Sequence, residues 1–574
     1  MIQGNPRLKR KEMLSRAMIL GVVLILFFRV IPASQEHIRM EDPVYLFLDR
    51  MATLGYLPKF LNDTRPYTRD KVAAQLQILL SCKSHLTGID RKILDEYVAD
   101  YRLELHPEKR QFQIRDGNSY FFFRSRENLK TGLKNMFRYE DNREKQHLFV
   151  YEREGETIWI DWSEALRAES KNGSYRPLNR DEIRFFAQLG KQFSVYFDGI
   201  RFVQYNVNNY TELSDDFKGG FVNDPKEEKI SLRGYDYSDA YIQMTGQYGR
   251  FMLGTEPIFW GNSPNSLVLS DNVAPFPFFS WQKEFKEARF TFFHGSLLPA
   301  DFTRDTLTGE KVFAKKFIVG HRWDLAVNPQ LNFSFTEIYL YGNRDMELAY
   351  LVPPVILWPT QHNLMDRDNA TMAFEFEYFP WAGSKFYGTL FLDEFTTTQI
   401  FNDYWANKQG IQLGVHYALS KLPTDFRIEF TAVHPWTYTH KFSYSSYTHN
   451  GVDLGFYAGP NSSLWFFENQ WWPKKRLYAS VQYRLLKHGR EPLDESDPDY
   501  YPIGSNVNQN YNDRNQALDH KTTWLMGDIE TINEFGLQLS YRWRKEFIFD
   551  WRMKIVEMNG DFDRYFTFQV RFDY

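Results

Sequence analysis

"YFTFQVRFDY", from Tyr565 to Tyr574, ends the sequence. Phe566, Phe568, Val570, Phe572 and Tyr574 share one parity, while Thr567, Gln569, Arg571 and Asp573 share the other. Successive side chains of a strand point to opposite faces, so this segment has one apolar face and one polar face. Ends of soluble domains fray, and a loose amphipathic end invites edge pairing with other chains. A fold containing this segment has to cover the edges and the apolar face of its last strand.

The same period of two runs back through the chain. "RLYASVQYRLL" sets Leu477, Ala479, Val481, Tyr483 and Leu485 against Arg476, Tyr478, Ser480, Gln482 and Arg484. "FGLQLSYRWRK" sets Phe535, Leu537, Leu539, Tyr541 and Trp543 against Gln538, Ser540, Arg542 and Arg544. "FIFDWRMKI" sets Phe547, Phe549, Trp551, Met553 and Ile555 against Asp550, Arg552 and Lys554. "GIQLGVHYALS", "MAFEFEYF" and "FRIEFTAVH" alternate likewise, with Glu375, Glu377, Arg427 and Glu429 on polar faces. The pattern holds from about residue 112 onward, broken by Gly, Asn, Asp and Pro clusters that read as turns.

A soluble sandwich would bury the apolar faces; an outer-membrane barrel would turn them to lipid and the polar faces to its lumen. Roughly 460 residues at about 25 per strand and connection give about 18 strands, more than one sandwich holds. The expectation is a mainly β fold, a large antiparallel transmembrane barrel whose last strand pairs with its first, with Tyr574 at an interfacial aromatic girdle. Composition agrees: aromatics reach 18% and charged residues 25% of 574 residues, with a mean hydropathy of −0.52. Past the N-terminus no apolar run approaches the roughly 20 residues of a spanning helix. A net charge of −4 carries no nucleic-acid signature.

The N-terminus reads as an export signal, residues 1–34. Arg7, Lys9, Arg10, Lys11 and Arg16 precede the apolar run Met18–Phe28, and "VIPAS" offers small residues for cleavage near Ala33 or Ser34. An uncleaved anchor helix is the alternative, against which stand the short run and Arg29. The single cysteine, Cys82, has no internal disulfide partner and reads as a structural thiol.

Residues 35–108 have a helical period. Asp42 and Pro43 open a stripe of Val44, Phe47, Leu48, Met51 and Leu54; Thr68 caps one of Val72, Leu76, Leu79 and Leu80; Thr87 and Asp90 form a capping box before Ile93, Leu94, Tyr97, Val98, Tyr101 and Leu105. These predict a small three-helix head, with the barrel taking 109–574.

Several blocks resemble the capsule-assembly Wzi family, in order: "DPVYLFLDRMATLGYLP" and "RPYTRDKVAAQL" in the head, then "RFMLGTEPIFWGNSPNSLVLSDNVAPF", "KKFIVGHRWDLAVNPQLNFSFTEIYLYG", "YFPWAGSKFYGTLFLDEF" and "SSYTHNGVDLGFYAGPNSSLWFF". The resemblance runs from about residue 42 to the C-terminus. It implies an integral outer-membrane barrel of lectin type in a Gram-negative cell, with a periplasmic helical head, that binds surface polysaccharide and assists capsule or exopolysaccharide assembly or attachment. It implies no enzyme activity and no cofactor. A porin or transporter with a polar lumen, and after it an outer-membrane hydrolase, are the competing functions. Expected partners are capsular or extracellular polysaccharide, outer-membrane lipid and the barrel-assembly machinery, with no nucleic acid; the working expectation is a monomer.

No catalytic or metal constellation stands out. "DRDN", Asp366 to Asn369, starts like a calcium loop, but Ala370 and Thr371 follow where an oxygen ligand and a glycine belong. Asp393 and Glu394 are adjacent on a strand and point to opposite faces, and His321 with Asp324 lacks a nucleophile-elbow context. Candidate polysaccharide-binding residues are Trp260, Asn262, Asp271, Asn272, Asn461 and Ser462, types that suit ring stacking and bonds to hydroxyls but also serve turns and girdles. Arg542 and Arg544 join them, as part of a basic set with Arg427, Arg484, Arg552, Lys554 and Arg571 that could either pair with lumen carboxylates or grip acidic sugars. The polar stretch Lys487–Lys521 is long enough to be a functional loop.

Overall fold

The computed structural model of the protein describes residues 35–574 apart from 107–112, 115–116, 138–144, 191, 208–211, 213, 215–216, 219–221, 224–231, 354, 395–398, 400–401 and 492–500. The expected export signal lies outside the described residues.

Eighteen antiparallel strands form one closed barrel. Numbering the wall strands alone, the first six are β1 Glu156–Lys171, β2 Ser174–Leu189, β3 Phe193–Tyr205, β4 Leu232–Gly246, β5 Gly249–Glu256 and β6 Phe276–Glu284. The next six are β7 Ala288–Leu297, β8 Lys316–Asn328, β9 Leu331–Gly342, β10 Asn369–Tyr378, β11 Ser384–Glu394 and β12 Lys408–Ala418. The last six are β13 Thr424–Val433, β14 Ser462–Lys474, β15 Leu477–Arg490, β16 Asp528–Arg544, β17 Phe547–Met558 and β18 Asp561–Asp573. Each pairs with its neighbour in sequence, and β18 closes on β1 from Tyr565↔Lys171 to Asp573↔Ser163. The edge of the terminal strand is thereby abolished, as its alternation requires. Phe566 and Phe568 stand 43% and 48% exposed on the outer face.

The two ends of the barrel differ. At one end the connections are tight, none longer than 379–383 or 419–423. At the other lie the long connections 257–275, 298–315, 343–368, 434–461 and 491–527.

The strand period expected from about residue 112 begins in the wall only at Glu156. Before it, Ser119–Phe121 pairs with Phe149–Arg153, which pairs in turn with the start of β1. Between them Arg126–Phe137 is a helix, because Leu129, Leu133 and Met136 recur at helical spacing. This segment also changes the setting of Tyr574, expected at a lipid-facing girdle. Tyr574 is fully buried instead, its ring 5.0 Å from that of Phe122 and its hydroxyl donating to Gln146 Oε1 at 3.3 Å.

The head contributes helices α1 Val44–Thr53, α2 Arg69–Ser81, α3 Gly88–Asp100 and the short α4 Arg102–Leu105; Arg126–Phe137 is α5 and Leu357–Asn363 is α6. Asp42 accepts the Val44 amide at 2.9 Å, and Thr87 accepts the Asp90 amide at 3.0 Å. Thr68 precedes α2, but its hydroxyl accepts from Arg250 Nη2 of β5 at 3.2 Å and makes no cap. The apolar stripes Val44, Leu48, Met51, Val72, Leu76, Leu79 and Leu94 share one core with Ala418 and Trp472 of the barrel. The head sits on the tight-turn end, where Gly383 donates its amide to Thr53.

Candidate functional site

What fills the barrel and what stays open follow from where the head and the long loops go. The turn after α1 enters the lumen, and Thr64 and Arg65 pair there with Trp260 and Phe259 of the connection 257–275. Asp63 reaches the wall beyond it. Its carboxylate accepts from Arg289 Nη2 at 3.1 Å and Arg322 Nη2 at 2.6 Å, while Asp324 accepts the Nε of each arginine at 2.8 and 2.7 Å and Glu375 takes Arg322 Nη1. Asp49 of α1 does the same one sector on, accepting from Lys385 Nζ at 2.6 Å and Arg427 Nη2 at 3.1 Å. Arg50 answers with Asp90 and Asp425. Buried charges are tolerated when paired, and each of these has an opposite charge within 4 Å, although Arg427 Nε, 3.8 Å from Glu468, makes no hydrogen bond among the described residues.

The connection 257–275 seals the same side from the other direction. Asn262 Nδ2 donates to the Phe376 and Gly388 carbonyls at 3.0 and 3.1 Å, and its amide to Glu375. Asn265 and Tyr387 donate to Glu429 at 2.8 and 2.6 Å. Leu267, Val268 and Leu269 then pack with Tyr438, Tyr447, Leu454 and Phe456 of the connection 434–461. Trp260 is 1% exposed with Phe293 edge-on at 5.1 Å, so neither ring face is free for a sugar. Asn461 and Ser462 are likewise internal. Asn461 holds a left-handed turn at φ 55° and ties Ser505 and Met526 to the loop base, and the Ser462 hydroxyl donates to Gly459 at 2.6 Å. Asp271 and Asn272 remain half-buried, with Lys218 3.4 Å from Asp271 and Asn272 bonded to the Gly455 carbonyl at 3.1 Å. Asp368 of the "DRDN" stretch takes both Nη atoms of Arg344, at 2.8 and 2.6 Å.

Along β15–β18 the lumen is open. Arg484 pairs with Glu534 across β15 and β16. Beyond it, Arg542, Arg552 and Arg571 make no hydrogen bond or ion pair through their guanidinium groups among the described residues. Register places Arg542 opposite Ile548 and Ile548 opposite Arg571, so two guanidiniums flank one isoleucine in a single row across three strands. Strand spacing puts their backbones about 10 Å apart. Arg552 lies in a second row with Gln538 and Thr567, about 13 Å farther along β17, and Lys554 follows with its Nζ 4.7 Å from the Tyr565 ring centroid. Arg544 leaves this set. A bulge between Arg542 and Arg544 puts Arg544 opposite Phe547, on the outer face, where its Nε donates to the Phe137 carbonyl at 3.2 Å.

The lower row borders a cavity of about 1180 Å³ between the head and the wall, lined by Arg542, Arg571, Trp159, Tyr97, Arg39 and Asp42 among others. Burial pushes the Asp42 carboxyl up, against the pull of the Val44 amide and of Arg542. The cavity is lined by carboxylates as well, Glu41, Asp100 and Asp573 among them, and the two rows set three guanidinium forks at two heights on the wall. Register and parity point to Arg542, Arg552 and Arg571 in the sequence, but nothing there tells their free state from the paired state of Arg427. The residues that sequence reasoning missed are Asp49 and Asp63; with Arg50 and Arg65 beside them in the sequence, nothing there marks them as partners of wall cations.

Comparison with known proteins supports the architecture. Wzi of Escherichia coli, described as an outer-membrane protein involved in group 1 capsule assembly and a carbohydrate-binding β-barrel, superposes with a TM-score of 0.53 at 12% identity, covering 93% of this chain and 98% of that one. Pseudomonas aeruginosa OpdK, solved with vanillate, gives a TM-score of 0.42 at 9% identity over 73% of this chain and 98% of its own, a score that carries no argument. No curated protein sequence matches. The model of the family "Capsule assembly protein Wzi" matches residues 162–555, from β1 into β17. Since that match spans more than half of the sequence, the chain belongs to the capsule-assembly Wzi family of outer-membrane barrels.

Proposed function

We propose that this protein is a non-enzymatic outer-membrane barrel that binds an acidic surface polysaccharide along the β16–β18 wall and so assists capsule or exopolysaccharide assembly or attachment. One observation carries the reading: Arg542, Arg552 and Arg571 lie on the inner face of β16–β18 with no hydrogen bond or ion pair through their guanidinium groups among the described residues. The E. coli relative described as carbohydrate-binding supports the ligand class. The exposed outer belt of Leu166, Ile183, Leu253, Phe566 and Phe568 faces lipid, and the tight-turn end with the head faces the periplasm, as short turns do in such barrels. The helical head spans 35–108. Barrel-assembly machinery reads the C-terminal strand, and the barrel works as a monomer. Asp271 and Asn272 offer secondary sugar contacts; Trp260, Asn262, Asn461 and Ser462 act as scaffolding.

The test is binding of the purified barrel to acidic and neutral capsular glycans across salt, with Arg542→Gln and Arg571→Gln. Acidic glycan should bind preferentially, and raising salt should weaken it, since the Debye length falls to about 3 Å at 1 M. Each substitution should cost roughly tenfold in affinity, the scale of one charge-assisted hydrogen bond. Equal, salt-indifferent binding of both glycan classes overturns the reading. A diffusion pore is the competing function, and a large steady conductance in planar bilayers would favour it; the packing of the 257–275 and 434–461 connections inside the barrel speaks against one.

A further inference from the structure

Helix α5 is seated on the outside of the wall at the tight-turn rim. Its Phe137 stacks on Phe547 at 5.5 Å and meets Trp543 at 6.3 Å, both outer-face residues, and Arg544 binds the Phe137 carbonyl that ends the helix. Met136 and Phe122 pack on Tyr574, with Leu129, Phe547 and Phe572 around them. Gly132 lies so close to Phe122 that a Cβ there would meet its ring at 2.4 Å.

Among the described residues nothing covers the opposite flank of the helix. Leu133 and Phe137 are 43% and 50% exposed, and Phe123, just before the helix, is 62% exposed. At 100° per residue Leu133, Arg126, Phe137, Lys130 and Lys134 follow one another around one flank. Arg124, Arg126, Lys130 and Lys134 are exposed and make no side-chain ion pair or hydrogen bond among the described residues; Glu127 is the one acid of the helix. An apolar strip continuous with the lipid-facing belt and bordered by basic side chains has the make-up of a helix lying in a membrane interface.

We propose that α5 lies in the plane of the periplasmic leaflet, with Phe123, Leu133 and Phe137 in the acyl boundary and the four basic side chains among the headgroups, and that it recruits anionic phospholipid to the barrel rim. The proposal rests on the membrane placement given above. The bond from Arg544 holds the helix end against the wall, and the four cations outnumber Glu127, so the flank attracts negative headgroups.

The experiment uses the full barrel with Cys82→Ser, carrying a nitroxide at Leu133→Cys or, on the belt, Phe568→Cys, in nanodiscs of phosphatidylcholine with or without phosphatidylglycerol. Both labels should be relaxed by oxygen more than by a water-soluble nickel chelate, with Leu133 the shallower. In lipid competition read by native mass spectrometry, the parent should retain phosphatidylglycerol over phosphatidylcholine. A variant with Arg124, Arg126, Lys130 and Lys134 all changed to Gln should lose about tenfold of that preference, the scale of a few surface cations. A Phe568 label open to the chelate overturns the membrane placement and the helix proposal with it. An immersed Phe568 label with a water-exposed Leu133 label overturns the helix proposal alone. Unchanged lipid preference in the four-site variant overturns the anionic-lipid part.

Discussion

Arg289, Arg322 and Arg427 of β7, β8 and β13 are held by carboxylates, two of which, Asp63 and Asp49, arrive from the head. Arg542, Arg552 and Arg571 of β16–β18 occupy the same kind of lumen position and, among the described residues, meet none within bonding distance. Arg322 is wholly buried and Arg552 exposed. The wall residues are of one type and one parity, so the difference lies in what the head brings. A lumen arginine facing α1 or the turn after it becomes a structural counter-ion. Arg542 and Arg571 face the cavity and meet no such carboxylate within bonding distance among the described residues, whereas Arg184 on the same cavity pairs with Asp573.

The comparison breaks most easily at Asp63. Asp63→Ala should destabilise the barrel by about 3–5 kcal/mol, because removing one partner of a buried ion network strands the others. Arg552→Ala should stay within about 0.5 kcal/mol, as exposed substitutions do. Urea unfolding from lipid vesicles measures both, and equal losses would mean that the two sides do not differ.

Acid should separate the two sides next. Burial alone would raise the Asp63 carboxyl, but Arg322 and Arg289 outweigh it and hold the group well below the usual carboxylate range; Lys385, His416 and Arg427 do the same for Asp49. Folded values lowered in this way give stability that is full above the unfolded value of about 3.9 and is lost as pH falls toward the folded ones. The loss on going from pH 7 to pH 3 should reach a few kcal/mol and should shrink in Asp49→Asn/Asp63→Asn, which has little left to protonate. A parent and double variant with parallel pH profiles would remove the head carboxylates from the lock.

Glycan affinity sharpens the contrast at smaller amplitude. Arg427→Gln should lower stability and leave acidic-glycan binding within about twofold, whereas Arg571→Gln should do the reverse and cost roughly tenfold. Matched losses of binding in both would move recognition away from β16–β18.

Much of this fold was legible in the period of two. Alternation such as that of Phe566 to Asp573 specifies which face each residue takes, and repetition with turn residues specifies a closed wall of about eighteen strands, because only closure covers so many amphipathic edges. Among the described residues eighteen such strands close the wall. Parity stops at the face, however. It cannot show the bulge that turns Arg544 outward, since one extra residue there leaves the written alternation intact. Nor can it show what crosses the lumen: Asp63 in "LNDTRP" and Trp260 in "FWGNS" lie in aperiodic stretches whose partners are nearly two hundred residues apart. Parity is equally silent on where the sugar-like residues go. Trp260, Asn262 and Asn461 are polar or aromatic because buried loop backbone needs donors and filler inside the barrel.

The smallest expected effect lies on the seam between the filled and open sides. Asn461 stands at φ 55°, a conformation that asparagine tolerates better than most residues, and its Nδ2 donates to Ser505 Oγ at 2.7 Å and the Met526 carbonyl at 2.9 Å while its Oδ1 accepts the Met526 amide at 2.8 Å. It thus fastens the connection 434–461, which caps the packed side, to the connection before β16, which borders the open one. Asn461→Gly keeps the backbone free to hold its turn and removes the bonds; Asn461→Ala removes the bonds and adds strain. If the residue is a fastener, Gly should cost about 1–2 kcal/mol and Ala somewhat more, with glycan affinity unchanged in both. A residue that touched the glycan directly would show a different signature, in which both variants lose binding equally while their unfolding curves overlay that of the parent.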